Sequence, residues 1–232
     1  MFRFKQFNVA DDKCAMKVGT DGVLLGAWAR VAGDGRVLDV GTGTGLIALM
    51  VAQRAPMANI VAIDIDRDAV NQARSNVDVS PWAERITTLC ADVQSFHTDA
   101  LFDHIVSNPP YFIDALSSPD AARTVARHTA SLSFCELINA ACRLLRRGGR
   151  LSVILPTDGA ARFRREAFER LWLVRQMDVI TCEGDEPKRT MMEFCLCDQP
   201  MMPHCSSLVI HPKCGGYTDE YRLLTDEFYL KF

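Results

Sequence analysis

The stretch VLDVGTGTG, residues 37–45, determines the fold class of this 232-residue chain. Residues 37–40 are mostly apolar, as in a buried strand, and three glycines follow at alternate positions. Residues 46–54 then have a sequence typical of a helix. This order predicts a buried strand, a tight turn and a helix whose first N–H groups face the turn. Because glycine lets a backbone approach a ligand closely, the stretch predicts a nucleotide-binding loop.

The glycine spacing separates two kinds of nucleotide site. A dinucleotide-binding loop has the pattern G-x-G-x-x-G, which would place its third glycine at Leu46. This chain instead has Gly41, Gly43 and Gly45, with Asp39 two residues before the first glycine. A carboxylate there would repel a pyrophosphate and attract a ligand with a free ammonium group. The pattern therefore disfavours a nicotinamide-dependent oxidoreductase, which stays open as an alternative.

Two further acids follow predicted strands in chain order. Asp64 ends a strand predicted at residues 59–63, and a carboxylate about 20 residues after the glycine loop is where a ribose diol is bound. Asp92 follows a strand predicted at residues 86–90 and can accept a hydrogen bond from an adenine amino group. A ligand with an amine, a ribose and an adenine is S-adenosyl-L-methionine.

A proline-rich motif, Asn108-Pro109-Pro110-Tyr111, follows a strand predicted at residues 103–107. Two successive prolines cannot continue a sheet, because each lacks the N–H group that the ladder needs. The Asn108 side-chain oxygen and the Pro109 carbonyl can each accept one hydrogen of a planar –NH2 group, and Tyr111 can stack on its ring. We therefore predict that these four residues are catalytic.

Strand and helix patterns alternate along most of the chain. Strands are predicted at residues 36–40, 59–63, 86–90, 103–107, 150–155, 174–180 and 190–197, and helices at 46–54, 69–77, 121–128, 134–145 and 160–171. The alternation predicts an α/β, Rossmann-like fold with a seven-stranded, mostly parallel twisted sheet, helices on both faces and an antiparallel last strand pair.

Both ends of the chain predict small additions to this core. Residues 2–7 and 14–18 predict a hairpin, and Thr20 or Asp21 predicts the N-cap of a helix reaching Trp28. Within the core, Gly148-Gly149 predict the end of the helix at residues 134–145. Residues 207–211 carry a weaker strand pattern. We expect one domain over residues 1–232, with an N-terminal hairpin and helix (1–35), a cofactor-binding core (36–197) and a C-terminal extension (198–232).

Composition limits the class of protein and its partners. Hydrophobic content of 48% and charged content of 24% are ordinary for a globular protein. An odd number of cysteines, nine, without framework spacing favours reduced thiols and a cytoplasmic location. We expect neither a membrane span nor a signal peptide. Net charge is −3, but residues 123–189 hold 13 Lys and Arg against 8 Asp and Glu, which is compatible with a local nucleic-acid contact or with solvated helix faces.

Together these motifs resemble those of the class I S-adenosylmethionine-dependent methyltransferases, in the amino-methylating branch that carries (D/N/S)-P-P-(Y/F/W). Within that branch the chain resembles the bacterial tRNA adenine-N6 methyltransferases that modify adenosine 37, beside the anticodon of valine tRNA. That likeness is carried by FKQF at residues 4–7, KVGTDGVLLGAW at 17–28, ARH at 126–128, and the aromatic stretches at 217–221 and 228–230.

The resemblance implies an enzyme that uses S-adenosyl-L-methionine to methylate N6 of an adenine in tRNA. It implies the valine tRNA anticodon stem-loop as partner, with neither a membrane nor an obligate protein partner. It also implies a set of cofactor-binding residues: Lys17, Thr20, Asp21, Asp39, Gly41, Gly43, Gly45, Asp64, Ile65, Asp92, Val93 and Asn108.

Besides the nicotinamide-dependent oxidoreductase, two alternatives to a tRNA substrate remain open from the sequence. Glutamine-N5 methyltransferases of release factors share Asn-Pro-Pro-Tyr but resemble proteins with an N-terminal helical domain, and another RNA could supply the adenine. A cluster of possible zinc ligands is also present in the C-terminal part: Cys195, Cys197, His204, Cys205, His211 and Cys214. We expect no metal, because structural zinc sites usually show C-x2–4-C spacing.

Overall fold

The computed structural model describes residues 1–12, 14, 17–110 and 132–231. Its strands are β1 (Phe2–Arg3), β2 (Asn8–Val9), β3 (Arg36–Val40), β4 (Asn59–Asp64), β5 (Ile86–Cys90), β6 (Phe102–Ser107), β7 (Leu145–Pro156), β8 (Trp172–Cys182), β9 (Arg189–Cys195) and β10 (His204–His211). Its helices are α1 (Thr20–Trp28), α2 (Leu46–Arg54), α3 (Arg67–Asp78), α4 (Phe134–Leu144), α5 (Thr157–Ala167) and α6 (Asp219–Thr225). The helix predicted at residues 121–128 lies outside the described residues.

The main sheet has the strand order β10-β8-β9-β7-β6-β3-β4-β5. All neighbouring pairs are parallel except β7–β9 and β9–β8. This confirms the predicted mostly parallel α/β sheet and its antiparallel last pair. Within the described residues the sheet has eight strands rather than seven, because His204–His211 adds a parallel edge strand beside β8.

Two hydrophobic cores enclose the sheet, one on each face. Successive residues of one strand alternate between the cores: Val37 faces α1 and α2, whereas Leu38 faces the side covered by α4 and α5, and both are fully buried. A strand buried on both faces has a nearly continuous apolar sequence, which is why the central strands were predictable.

The N-terminal hairpin forms with a different partner from the one predicted. β1 pairs antiparallel with β2, at Asn8–Val9, and not with residues 14–18. The turn is therefore shorter, since Phe4 N–H donates to the Phe7 carbonyl at 2.9 Å. An antiparallel bridge between Phe4 and Tyr229 joins the hairpin to the C-terminal segment, which supplies long-range support that local sequence does not reveal.

Helix boundaries differ from prediction at two glycine positions. Gly19, not Thr20 or Asp21, is the N-cap of α1, and Thr20 is the first helical residue. The helix α4 ends at Leu144, so Gly148-Gly149 do not stop it; they lie inside β7, where the register with β6 shifts. Gly148 has a φ of 80°, a left-handed conformation that favours glycine, so the pair marks a strand irregularity instead.

The C-terminal segment adds a short helix that the sequence did not predict. The Thr218 hydroxyl caps α6 by accepting the N–H of Tyr221 at 3.2 Å, and Tyr221 and Phe228 are buried against α1 and α2. Across residues 1–12, 14, 17–110 and 132–231, the structure contains no helix with the length and apolar character needed to cross a bilayer.

Candidate active site

A cleft of about 840 Å³ opens where β3, β4, β5 and β6 end. In open α/β sheets this carboxyl edge is the usual ligand site. Ten of the twelve residues predicted to bind the cofactor line the cleft: Lys17, Thr20, Asp21, Gly41, Gly43, Asp64, Ile65, Asp92, Val93 and Asn108. Pro109 and Pro110 line it as well, so one cavity collects residues from separate parts of the chain.

The glycine loop connects β3 to α2 along the cleft. The N–H groups of Gly41 and Thr42 both donate to the Ile63 carbonyl, at 2.9 and 3.0 Å, so the loop is tied to the end of β4. Gly45, the N-cap of α2, has a φ of 82°, and a Cβ there would lie 3.3 Å from the Ala73 Cβ of α3. Gly45 does not line the cleft; it permits close packing of α2 on α3.

Asp64 joins the glycine loop to the end of β4. Its Oδ2 accepts the Gly43 N–H at 2.9 Å, and its Oδ1 accepts the Asp66 N–H at 3.0 Å. Burial raises the pKa of Asp64, and these backbone hydrogen bonds oppose the increase. Each carboxylate oxygen has two lone pairs, so Asp64 can hold the loop and still accept two hydroxyl groups of a ligand.

Asp39 lies beneath the loop and not in the cleft. Its side chain is fully buried, and its Oδ2 accepts the Thr42 hydroxyl at 2.6 Å. Burial raises the pKa of Asp39 to about 7, with a further increase from the neighbouring Asp64, while the Thr42 hydrogen bond lowers it. In the structure Asp39 therefore supports the loop, and its contact with a ligand ammonium group stays a sequence-based prediction.

The adenine side of the predicted site combines an acid with apolar surface. Asp92 follows β5, is half-buried, and its Oδ1 accepts the Gln94 N–H at 2.9 Å. Ile65 exposes 54% of its surface, and Val93 is buried, although both line the cleft. An exposed isoleucine beside a carboxylate suits a flat aromatic ring that also carries a hydrogen-bond donor.

The Asn108-Pro109-Pro110 segment leaves the end of β6 at the other side of the glycine loop. Ser107 is buried, and its hydroxyl donates to the Val40 carbonyl at 2.9 Å, which fixes the end of β6 against β3. Pro109 is buried, whereas Asn108 is half-buried and borders the cleft. Tyr111, the fourth predicted catalytic residue, lies outside the described residues, as do Arg127 and His128.

The start of α1 closes the cleft from a third direction. Lys17, Thr20 and Asp21 line it there, and Asp21 Oδ2 accepts a hydrogen bond from Arg189 Nε of β9 at 2.9 Å. This ion pair joins the N-terminal addition to the sheet at the same edge.

The polar residues that line the cleft and were not predicted from the sequence include Asp66, Gln94 and Glu136. Glu136 belongs to a capping box at the start of α4, in which the Ser133 N–H donates to its Oε2 at 2.7 Å. The sequence signal was present, because Ser-x-x-Glu before an apolar run predicts a helix N-terminus.

A buried ionic network lies under the neighbouring part of the sheet, outside the cleft. Glu193 is fully buried and binds Arg175 at 3.1 Å as well as Arg150, and its neighbour Ser152 is 2.9 Å from His104 Nε2. Burial lowers the pKa of His104 to about 4, so the imidazole is neutral near pH 7. The network joins strands and takes no part in the cleft.

Within the described part of the chain, no three His, Cys, Asp or Glu side chains are grouped in a way that suits a metal ion. None of the nine cysteines, which all lie in this part, forms a disulfide; they occupy buried, intermediate and exposed positions.

Comparison with known proteins gives a consistent result. The family described as "Methyltransferase small domain" matches residues 18–178. A protein of Bacteroides thetaiotaomicron named tRNA1(Val) (adenine(37)-N6)-methyltransferase is 48% identical over 231 residues, covering 99% of this chain and 97% of the relative. A protein of the same name from Phocaeicola vulgatus is 50% identical over 236 residues, with 99% and 97% covered.

The fold has a solved counterpart. The crystal structure of a predicted O-methyltransferase from Agrobacterium tumefaciens superposes with a TM-score of 0.72 at 20% identity, over 90% of this chain and 96% of that one. This likeness confirms the predicted Rossmann-like class I methyltransferase fold.

Proposed function

Because this chain belongs to the methyltransferase small-domain family, we propose that it transfers a methyl group from S-adenosyl-L-methionine to N6 of an adenine in tRNA. The relatives at 48% and 50% identity, which match nearly their whole length, carry that activity in their names. From those names we also propose the finer substrate, adenosine 37 of valine tRNA, a substrate that would place the enzyme in the cytoplasm.

One observation carries the proposal: Asp64, Asp92 and Asn108 follow successive parallel strands and border a single cleft beside a G-x-G-x-G loop. Asp64 would accept the ribose hydroxyls, and Asp92 with Ile65 would hold the adenine ring. Lys17, Thr20 and Asp21 would enclose the cofactor from the α1 side. At Gly41, Gly43 and Val93 the cofactor would contact the protein backbone. Asp39 and Gly45 support the loop from behind.

When bound, S-adenosyl-L-methionine supplies an electrophilic methyl group. Asn108 has the chemistry to position the acceptor, since its side-chain oxygen and the Pro109 carbonyl can each take one hydrogen of the adenine amine. Both hydrogens are then held in the ring plane, which leaves the nitrogen lone pair directed out of it. Positioning of this kind removes roughly 7–11 kcal/mol of a barrier in well-oriented reactions. Stacking by Tyr111 stays a sequence-based prediction.

The substrate base must lie outside any helical stack to reach this cleft. Enzymes that act on bases either extrude the target or take it from a loop that is already unstacked. An anticodon loop provides such bases, which supports a tRNA substrate over a duplex.

The test is methyl transfer from labelled S-adenosyl-L-methionine to valine tRNA and to the same tRNA with guanosine in place of adenosine 37. We expect methylation of the first RNA only, because guanosine has no N6 amine. Asn108→Ala should keep its cofactor affinity and lose roughly 10- to 150-fold in kcat, the worth of a hydrogen bond to a group that gains charge. Transfer to a release factor instead of tRNA would overturn the proposed substrate, and a fully active Asn108→Ala enzyme would overturn the mechanism.

A further inference from the structure

A second cavity of about 420 Å³ lies beside the cleft, within the size range of ligand pockets. It is formed by the start of α1, the end of β8, the start of β9, the end of β10 and the C-terminal segment. Because β9 runs antiparallel to β7 and β8, its first residues reach the edge at which the parallel strands end. The second cavity therefore opens at the same sheet edge as the cleft.

One wall of the second cavity is aromatic. The rings of Tyr217 and Tyr221 stack with centroids 5.1 Å apart and planes 17° from parallel, and His211 lies 4.8 Å from Tyr217. Tyr221 is buried and anchored by the Thr218 cap, whereas Tyr217 exposes 36% of its surface at the rim. A rigid support under a partly exposed ring is suited to stacking a flat ligand group.

Another part of the wall is basic. Lys188, Arg189 and Lys231 line the cavity, and Asp21 is the one acidic residue among its described lining residues. The Asp21–Arg189 pair at 2.9 Å compensates one of these cations, so Lys188 and Lys231, which are both exposed, give the described lining residues a net positive charge. On a chain of net charge −3, this concentration of cations beside tyrosines favours a polyanion with flat bases.

The two cavities are adjacent in space. Thr20 and Asp21 line both of them, so the first turn of α1 is their common border. An RNA strand that places one base in the cleft would bring a neighbouring nucleotide over this border.

We propose that the second cavity binds the nucleotide next to the target adenine, with its base against Tyr217 and its phosphate near Lys188 and Lys231. The inference rests on the proposed function, because it requires an RNA substrate whose target base enters the cleft. The cavity would fix the register of the loop, so that one adenine and not its neighbour reaches Asn108.

The test makes two comparisons. Tyr217→Ala is compared with Tyr217→Phe, and Lys188→Ala is compared with Arg147→Ala. Arg147 is an exposed cation at the opposite edge of the sheet, paired with Asp198, and serves as the control. We expect Tyr217→Ala to raise the KM for tRNA roughly 5- to 150-fold, the effect of one lost base stack, with kcat and cofactor affinity unchanged. Tyr217→Phe and Arg147→Ala should match the unmodified protein, and Lys188→Ala should reduce the slope of log KM against log salt by about 1.

An abasic nucleotide on either side of the target adenine identifies the occupant. On one side of the target, the abasic nucleotide should weaken tRNA binding to the unmodified protein but cause no further loss of binding in Tyr217→Ala. If the unmodified protein methylates tRNA but Tyr217→Ala and Lys188→Ala keep its KM and salt slope, the second cavity does not bind RNA and the proposed function stands. The stacking role would also be overturned if the abasic nucleotide, on either side of the target, weakened binding to Tyr217→Ala as much as to the unmodified protein. It would be overturned as well if Tyr217→Phe raised the KM as much as Tyr217→Ala. Absence of tRNA methylation by the unmodified protein would refute the proposed function itself.

Discussion

Replacing Asp39 by asparagine removes an ionisable group from beneath the glycine loop while keeping the size of the side chain. Asp39 is fully buried, and its Oδ2 accepts a hydrogen bond from the Thr42 hydroxyl. Burial raises its pKa from the ordinary 3.8 to about 7. An asparagine oxygen can still accept the Thr42 hydroxyl, so the substitution changes charge more than packing.

The sign of the pH dependence follows from proton binding. Between the ordinary pKa and about 7, the folded protein keeps a proton on Asp39 that the unfolded chain has released, so the free energy of unfolding falls as the pH rises through this window. The difference between 3.8 and about 7 corresponds to roughly 4 kcal/mol at 1.36 kcal/mol per pKa unit. Relaxation of the buried site reduces this value, which is therefore an upper limit.

Urea unfolding of the unmodified protein and of Asp39→Asn between about pH 5 and pH 8 measures this contribution. At about pH 5 part of the difference is already present, because this pH lies above the ordinary pKa of 3.8. From there to pH 8, Asp39→Asn should gain up to about 3 kcal/mol of stability over the unmodified protein, which is about two pKa units at 1.36 kcal/mol each. Asp34→Asn, at an exposed position, is the matched control for the loss of a surface carboxylate. A free-energy difference for Asp39→Asn that stays constant over this pH range would refute the buried-carboxyl argument.

Two further substitutions test the cleft and the sheet separately. Asp64→Ala removes the acceptor of the Gly43 N–H together with the proposed ribose contact, and should weaken S-adenosyl-L-methionine binding by about 1–3 kcal/mol in calorimetry; an unchanged affinity would exclude Asp64 from the site. Glu193→Gln leaves the cations of Arg150 and Arg175 without their buried anion, and should lower the free energy of unfolding by about 3–5 kcal/mol in urea. If Glu193→Gln had the same free energy of unfolding as the unmodified protein, water would have to screen the charges of Arg150 and Arg175.

The parallel half of the fold was predictable because its strands are buried on both faces. Such strands have short apolar sequences bounded by glycine, proline or acids, and β3, α2 and β5 begin and end where the sequence indicated. The parallel pairing of these strands then follows from the alternation of strands and helices.

The edges of the fold were not predictable in the same way. β10 is half-exposed: only Leu208 and Ile210 are buried, and its pairing with β8 depends on a partner about 30 residues earlier. The β1–β2 hairpin likewise depends on Tyr229 at the other end of the chain. Local patterns contain no information about such distant partners.

Within the site, the sequence predicted which residues meet but not which of them border the cleft. Asp39 and Asp64 both lie at or near strand ends, yet Asp39 points beneath the loop, where Thr42 covers it, and Asp64 borders the cleft. The direction depends on how the loop folds back on the strand. The spacing of the glycines alone does not specify that.

The antiparallel strand β9 gives the final link between the cofactor cleft and the proposed RNA contact. A parallel strand in its place would present its last residue, Cys195, at the functional edge, whereas β9 presents its first, Arg189. Arg189 binds Asp21, and Asp21 borders both cavities, so the reversal of one strand joins the basic wall to the first turn of α1. If this junction sets the register of the RNA, Arg189→Ala should lower site selectivity: methylation at adenines beside the target should increase, and total methylation should fall less. Nuclease digestion and mass spectrometry map the methylated sites. Unchanged site selectivity in that variant would confine the role of the Asp21–Arg189 pair to stability.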